Sequence, residues 1–282
     1  MIARDHASNG EHAVDLAAYF ARIGYRGSLD ATFDVLAALQ AAHIAGIPFE
    51  AIDAFLGEGV VLDPAAIDHK LLHAGRGGYC YEQNGLFRRV LGSLGFAVEA
   101  RIARVLWGGA GEGAFQPRTH MALLVEAAGA RWLVDVGFGS AVPIEPLRWD
   151  SEAAQDTRLG RYRLVPTTFG RRLDVAAGDV WKPLYEILHE IPRSEDFEVG
   201  NWFTSTHPAS PFRRNLIISR ATSEERITMF NAELTFRSID GGVRRELLDA
   251  ARLEAGLGDI FNLRLDQRQR TKLAQLASRT DM

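Results

Sequence analysis

The hydrophobic period of this 282-residue chain changes once, near residue 96, and that change limits it to folds that segregate helix from sheet. Before it, apolar residues recur at helical spacing. Val14, Ala17, Phe20 and Ala21 mark a first helix, broken by Gly24 and Gly27. Phe33, Leu36 and Leu39 mark a second, with Asp30 as the expected N-cap and Gly46 and Pro48 as the stop. Asp63-Pro64 reads as a cap and first-turn pair for a helix carrying Ile67, Leu71 and Leu72, stopped by Gly75. A fourth helix follows Gly77-Gly78, with Leu86, Phe87, Val90, Leu91 and Leu94 on one face and Gly95 at its end. From Phe96 the period is two: Phe96, Val98, Ala100 and Ile102 alternate with Glu99 and Arg101. Residues 120–126 and 131–136 form an expected hairpin, and further strands are expected at 161–165 and 180–188. After Pro211 come strands at 215–219, 226–230 and 233–238, with Asp240-Gly241-Gly242 as a tight turn. Helices at 245–255, stopped by Gly256, and at 267–278 close the chain. The reading is α+β: a helical bundle, then a β region, then a small α/β lid.

Composition removes several function classes. Hydrophobic residues are 47% and charged residues 24%, as in soluble globular proteins, and the net charge of −4 argues against a nucleic-acid partner. No apolar run is long enough to span a bilayer, and the first twelve residues lack the apolar stretch of a signal peptide, so no membrane association is expected. The lone Cys80 excludes an internal disulfide framework and suits a reducing cytoplasm. One cysteine and scattered histidines give no zinc spacing, and no Gly-x-Gly-x-x-Gly follows a strand, so neither a metal nor a tightly held dinucleotide is expected.

Cys80 is the first place to look for chemistry. It stands where the turn Gly75-Arg76-Gly77-Gly78 meets an amphipathic helix. Unpaired amides and the macrodipole at a helix start favour a thiolate, and the glycines let a ligand approach the backbone. A buried, inert cysteine fits the same position. Eight histidines compete as its base. His43, His69 and His73 fall in helical patterns as ordinary surface or core residues, and His189 and His207 lie near strand or loop ends. His120 is different, because the expected hairpin brings it beside Asp135. An Asp within the apolar run Leu133-Val134-Asp135-Val136 is costly to bury unless it holds a partner, and an imidazole N–H is a suitable one. A strand-end histidine and an ordinary hydrogen-bonded aspartate remain the alternative.

The block Arg76-Gly77-Gly78-Tyr79-Cys80-Tyr81-Glu82-Gln83-Asn84 resembles the active-site signature of the arylamine N-acetyltransferases. His120 follows the cysteine by 40 residues and Asp135 follows the histidine by 15, which also fits. Further matching pieces are Ile47-Pro48-Phe49-Glu50, Arg104-Val105-Leu106-Trp107, Thr119-His120-Met121, Asp135-Val136-Gly137-Phe138-Gly139 and the run from Ser205 to Phe212. Together they cover about residues 45–215 in order. The resemblance implies an N-terminal helical bundle bearing the nucleophile (1–95), a central β-barrel bearing His and Asp (96–200), and an interdomain segment with a C-terminal α/β lid (201–282), around a cysteine-protease-like Cys-His-Asp core. It implies a Cys80-His120-Asp135 triad that takes acetyl from acetyl-coenzyme A, a co-substrate and not a resident cofactor. The acceptor would be the nitrogen of an arylamine, arylhydrazine or N-hydroxyarylamine. Coenzyme A would lie near Thr119 and Gly137-Phe138-Gly139, in the cleft between barrel and lid.

Phe49, Tyr79, Trp107, Phe138, Phe203 and Phe212 are candidates to line an apolar site for the neutral amine. Arg76 and Glu50 are expected to pair and pin the loop before Cys80. Glu82 suits the helix dipole but opposes a thiolate, so it is expected to point away from the sulfur and be paired; with Asn84 it is read as structural support. The Gly-rich stretch 108–115 receives no role. Papain-like proteases and transglutaminases also run Cys, His, then Asn or Asp, but the papain-type Cys-Gly-Ser-Cys-Trp pattern is absent. A non-enzymatic binding module with an inert Cys80 is the third possibility. The physiological amine, the acyl-chain preference and the oligomeric state are not readable from the sequence.

Overall fold

The computed structural model describes residues 12–109 and 116–277. Most of the 108–115 stretch therefore lies outside the described residues. The helical part comprises α1 (Leu16–Ile23), α2 (Phe33–Gly46), α3 (Ile52–Leu56), α4 (Pro64–Asp68), which continues into one π turn (His69–His73), and α5 (Cys80–Ser93). Local chemistry sets most of the ends. Asp15 caps α1 by accepting from the Ala18 amide at 2.9 Å, and Gly24 ends it at φ +69°. Asp63 caps α4 through the Ala66 amide at 3.0 Å. The cap of α2 is Thr32, whose hydroxyl accepts from Val35, and not Asp30, which bonds to Ser28 in the preceding turn. Two residues nearer the helix, Thr32 is the one whose oxygen reaches an unpaired amide.

The second part is an eight-stranded antiparallel sheet in the order β5-β4-β3-β2-β9-β8-β7-β6. Its strands are β2 (Ala97–Val105), β3 (Arg118–Ala127), β4 (Ala130–Val134), β5 (Leu147–Arg148), β6 (Gln155–Thr157), β7 (Gly160–Pro166), β8 (Gly170–Ala177) and β9 (Val180–Leu188). The Gln155 carboxamide bonds both the N–H and the C=O of Arg148, so a side chain joins the two terminal strands and nearly closes the barrel. Strand β3 is buried on both faces. Met121, Leu123 and Val125 pack on the helices, while Ala122 and Leu124 fill the barrel interior.

The third part is a five-stranded sheet, β1-β10-β11-β12-β13, with β10 (Ile217–Ala221), β11 (Glu225–Phe230), β12 (Glu233–Ser238) and β13 (Val243–Leu247). Its edge strand β1 (Phe49–Glu50) comes from the helical part, and Ile52 and Leu56 of α3 join the same core. Helices α6 (Ser194–Thr206) and α7 (Pro211–Arg214) lead into this sheet, and α8 (Ala250–Asp259) and α9 (Gln267–Ala277) cover it. Helix α6 runs across residues 200 and 201, where the third segment was expected to begin.

The expected helix at 245–255 is wrong in detail. Residues 243–247 pair with β12, Asp249 caps α8 through the Arg252 amide at 2.9 Å, and the helix passes through Gly256. A tight turn at Gly241 (φ +86°) makes the hairpin partner available, and sheet pairing overrides local helix propensity. Among the described residues no helix is long and apolar enough to cross a membrane.

Candidate active site

Cys80 is the first residue of α5, in a turn that only small residues can make. A Cβ at Gly77 would come within 2.1 Å of the Pro48 carbonyl oxygen, and one at Gly78 within 2.8 Å of the Glu82 carboxylate. Gly78 forms a parallel bridge to Phe49, so the turn is held against β1. Glu82 closes the helix start: its Oε2 accepts from the Tyr79 amide at 3.1 Å, and its Oε1 takes the Lys70 ammonium at 2.6 Å.

His120 lies on β3 at the parity that faces the barrel interior, and Asp135 follows the last residue of β4. In this hairpin Leu123 pairs with Val134 and Glu126 with Arg131, so continuing the register makes His120 and Asp135 diagonal neighbours. His120 Nε2 donates to Asp135 Oδ2 at 2.9 Å. Three more donors reach the fully buried carboxylate: the Tyr185 hydroxyl at 2.9 Å on Oδ2, and Asn84 Nδ2 at 2.9 Å and the Gly137 amide at 2.8 Å on Oδ1. Burial works against ionised Asp135, but the His120 charge and these hydrogen bonds outweigh it and hold its pKa below the ordinary carboxylate value. Burial also opposes charge on His120. The Asp135 carboxylate, helped by the Cys80 side chain bonded to the imidazole, lifts its pKa to about 10. With Nε2 committed to Asp135, Nδ1 is the nitrogen left for the thiol. Cys80 Sγ also lies 3.7 Å from the Thr119 carbonyl oxygen.

Gly137 permits this approach. A Cβ there would stand 2.5 Å from Cys80 Cα and 2.9 Å from Asn84 Nδ2. Asn84 also donates to the Met121 carbonyl at 2.8 Å and accepts from the Val136 amide at 3.1 Å, so it ties α5 to both strands of the hairpin. Tyr185 was not anticipated. It is fully buried, lies 4.5 Å from the His120 ring centroid, and stays protonated because burial, then the Asp135 charge, raises its pKa. Its position in the expected 180–188 strand carried no local sign of this role; only the barrel register brings it to Asp135.

The remaining candidates divide into groups. Phe49, Tyr79 and Phe212 form one aromatic cluster, with centroids 5.9 and 6.0 Å apart and Gly139 (φ +87°) against the Phe49 ring. Tyr79 is completely buried, its hydroxyl bonded to Asn201, so it backs the cluster. Phe138 meets His120 edge-to-face at 5.2 Å. Phe203 stacks on His207 at 4.5 Å, and Trp107 is 46% exposed beyond the end of β2. Arg76 and Glu50 meet at 2.7 Å in a buried network with Asp53, Lys70 and Glu82. Among the described residues no cluster of His, Cys, Asp and Glu is arranged to hold a metal ion.

A buried thiol, imidazole and carboxylate aligned at a helix start suit acyl transfer, and comparison with known proteins names the family. A family model described as N-acetyltransferase matches residues 32–270. The arylamine N-acetyltransferase of Mycobacterium tuberculosis is 40% identical over 254 residues, which cover 89% of this chain and 90% of the relative. The Salmonella typhimurium protein named arylamine N-acetyltransferase / N-hydroxyarylamine O-acetyltransferase is 36% identical over 221 residues, 78% of each chain. The structure of Mycobacterium marinum arylamine N-acetyltransferase in complex with CoA superposes with a TM-score of 0.87 at 36% identity, covering 93% of this chain and 99% of that one. Similarity on this scale, running from α2 to the last helix and passing through the Cys80 turn and the His120–Asp135 hairpin, makes the chain a member of the arylamine N-acetyltransferase family.

Proposed function

We propose that this enzyme moves acetyl from acetyl-coenzyme A to arylamines, arylhydrazines or N-hydroxyarylamines by a ping-pong route, with Cys80, His120 and Asp135 as its catalytic triad. The observation that carries this reading is the alignment of Cys80 at the start of α5 with an imidazole whose far nitrogen is bound by a buried carboxylate. An imidazolium with a pKa near 10 is charged at neutral pH and stabilises a thiolate beside it.

In the first step Cys80 Sγ attacks the thioester carbonyl. The C–S bond to coenzyme A breaks, and the departing sulfur takes the proton from His120. Acetyl-Cys80 and a neutral imidazole remain. In the second step the amine nitrogen attacks the acetyl carbon, His120 accepts the nitrogen's proton, and the Cys80 thiolate leaves. For an N-hydroxyarylamine we take the hydroxyl oxygen as acceptor, following the name of the Salmonella relative, in place of the nitrogen suggested by the sequence resemblance.

Asp135, held by four donors, keeps Nδ1 of His120 turned to the sulfur through both steps. A neutral arylamine needs apolar walls and not an ammonium pocket, and Phe49, Phe138 and Phe212 are assigned to it, with Tyr79 behind them. The Mycobacterium marinum complex supports a coenzyme A site, which we place along Thr119 and Gly137-Phe138-Gly139. We take 1–95, 96–200 and 201–282 as the working domain division, and the reduced thiol argues for the cytoplasm.

The test is covalent. Incubation with acetyl-coenzyme A alone should add one acetyl group to the Cys80 peptide, an arylamine should discharge it, and double-reciprocal rate plots should be parallel. No acetylated Cys80 together with intersecting plots would overturn the route in favour of direct transfer.

A further inference from the structure

The Gln83 carboxamide grips the turn that precedes the nucleophile. Its Nε2 faces the carbonyls of Gly78 at 3.2 Å, Pro48 at 2.8 Å and Ile47 at 3.3 Å, while its backbone amide makes the ordinary helical bond to the Tyr79 carbonyl at 2.9 Å. Three carbonyls around one nitrogen leave a single sensible orientation for this carboxamide, so Oε1 must face a donor. That donor is His43 Nε2, 2.6 Å away. A proton on Nε2 leaves Nδ1 bare, and the Tyr19 hydroxyl donates to it at 2.9 Å. Tyr19, His43 and Gln83 are all fully buried, so no water can take over any of these bonds. Every bond runs in one direction, from α1 through α2 into α5, and ends on the turn of Cys80. The other tautomer would set a bare Nε2 against the Gln83 oxygen and leave the Tyr19 proton unpaired.

We infer that His43 is a positioning residue for acyl transfer: Tyr19 selects its Nε2–H tautomer, and through the Gln83 carboxamide it fixes the Gly78 carbonyl, and with it the turn from which Cys80 is presented. Burial, aided by the nearby Arg22 charge, pushes the His43 pKa down to about 4, so the relay keeps its neutral form throughout the working pH range. The Gly78 carbonyl, shared between Gln83 Nε2 and the Glu50 amide at 3.0 Å, is held on the β1 side of the turn. The inference rests on Cys80 being the nucleophile of the proposed function.

Two readouts are measured together: single-turnover acetylation of Cys80 by acetyl-coenzyme A, and alkylation of Cys80 by iodoacetamide. His43→Leu should slow both by on the order of 10- to 100-fold, the scale expected when a reacting atom is displaced by a fraction of an ångström or more. His43→Gln, which can still donate to Gln83 Oε1, should restore most of the rate. Tyr19→Phe keeps the shape and loses only the donor, so it should fall between the two and serves if His43→Leu does not fold. Leu36→Ala, a fully buried change elsewhere on α2, supplies the control for simple loosening: it should lower Tm yet leave both rates near those of the parent enzyme. Parent-like rates in folded His43→Leu and Tyr19→Phe would overturn the inference, as would equal slowing by Leu36→Ala at equal loss of Tm. If the parent enzyme is alkylated in a His43-dependent way but never acetylated, the relay stands and the proposed activity falls.

Discussion

Two buried ionic groups flank the start of α5, and they are built to opposite ends. On one side Glu50, Asp53 and Glu82 surround Lys70 and Arg76, with each cation shared between two carboxylates at 2.6–2.8 Å. Burial works against the Lys70 ammonium, but Glu82, Glu50 and Asp53 outweigh it and hold its pKa well above the ordinary lysine value. On the other side one carboxylate, Asp135, acts on one imidazole, His120. The first group absorbs its own charges; the second directs a charge toward a sulfur. Glu82, two residues from Cys80, belongs to the first group: its oxygens are committed to Lys70 and to the Tyr79 amide. A cavity of about 570 Å³ opens on the first group, and Lys70, Arg76, Glu82 and Asp53 in its wall are bound to one another. This cavity lies on the self-contained side of the helix start, and Cys80 does not line it.

Breaking the directed side should cost activity first. Asp135→Asn replaces an acceptor with an amide that also donates, and it should lower kcat/KM by about 10⁴-fold. Circular dichroism and activity need to be read together, and a folded, fully active variant would remove Asp135 from the triad. Next in size, Gly137→Ala puts a Cβ where only 2.5 Å separates it from Cys80 Cα. Acetylation of Cys80 should slow by on the order of 100-fold, and a calorimetric scan should show a smaller stability loss of about 1–3 kcal/mol. Breaking the self-contained side should do the reverse. Arg76→Met leaves the fully buried Glu50 without its cation and should cost about 3–5 kcal/mol in denaturant unfolding, while turnover per folded molecule stays close to that of the parent. Adding Glu50→Gln should recover part of that loss, and a large fall in kcat at full folding would erase the contrast.

The smallest effect is in pH dependence. The His120 pKa, about 10 in the folded protein, lies above its unfolded value of 6.5, so its stabilising contribution is complete below about pH 6.5 and fades as pH rises toward 10. Asp135 titrates the other way: with a folded pKa below the ordinary value, it stabilises above that value and loses this as pH falls through the lower one. Thermal unfolding from pH 6.5 to 10 should therefore show a decline in Tm that His120→Gln flattens. An equal slope in both proteins would mean that other groups set the alkaline limb.

The local features of this protein were decided by its sequence. The Asp63-Pro64 cap, the face of Leu86, Phe87, Val90 and Leu91 on α5, and the hairpin that joins His120 to Asp135 depend on neighbours within a few residues or across one short turn. The nine-residue block around Cys80 likewise carried the family. Other features needed the assembled chain. The first three residues of the helix expected at 245–255 become part of β13 because β12 is beside them, and the helix starts only after Asp249. Phe49 and Glu50 supply an edge strand to a sheet whose other members begin at Ile217. Tyr185, Tyr19 and His43 read locally as ordinary strand and helix residues. Their functions come from partners 50, 24 and 40 residues away, since a buried hydroxyl or imidazole takes its role from whichever group the fold places within hydrogen-bond reach.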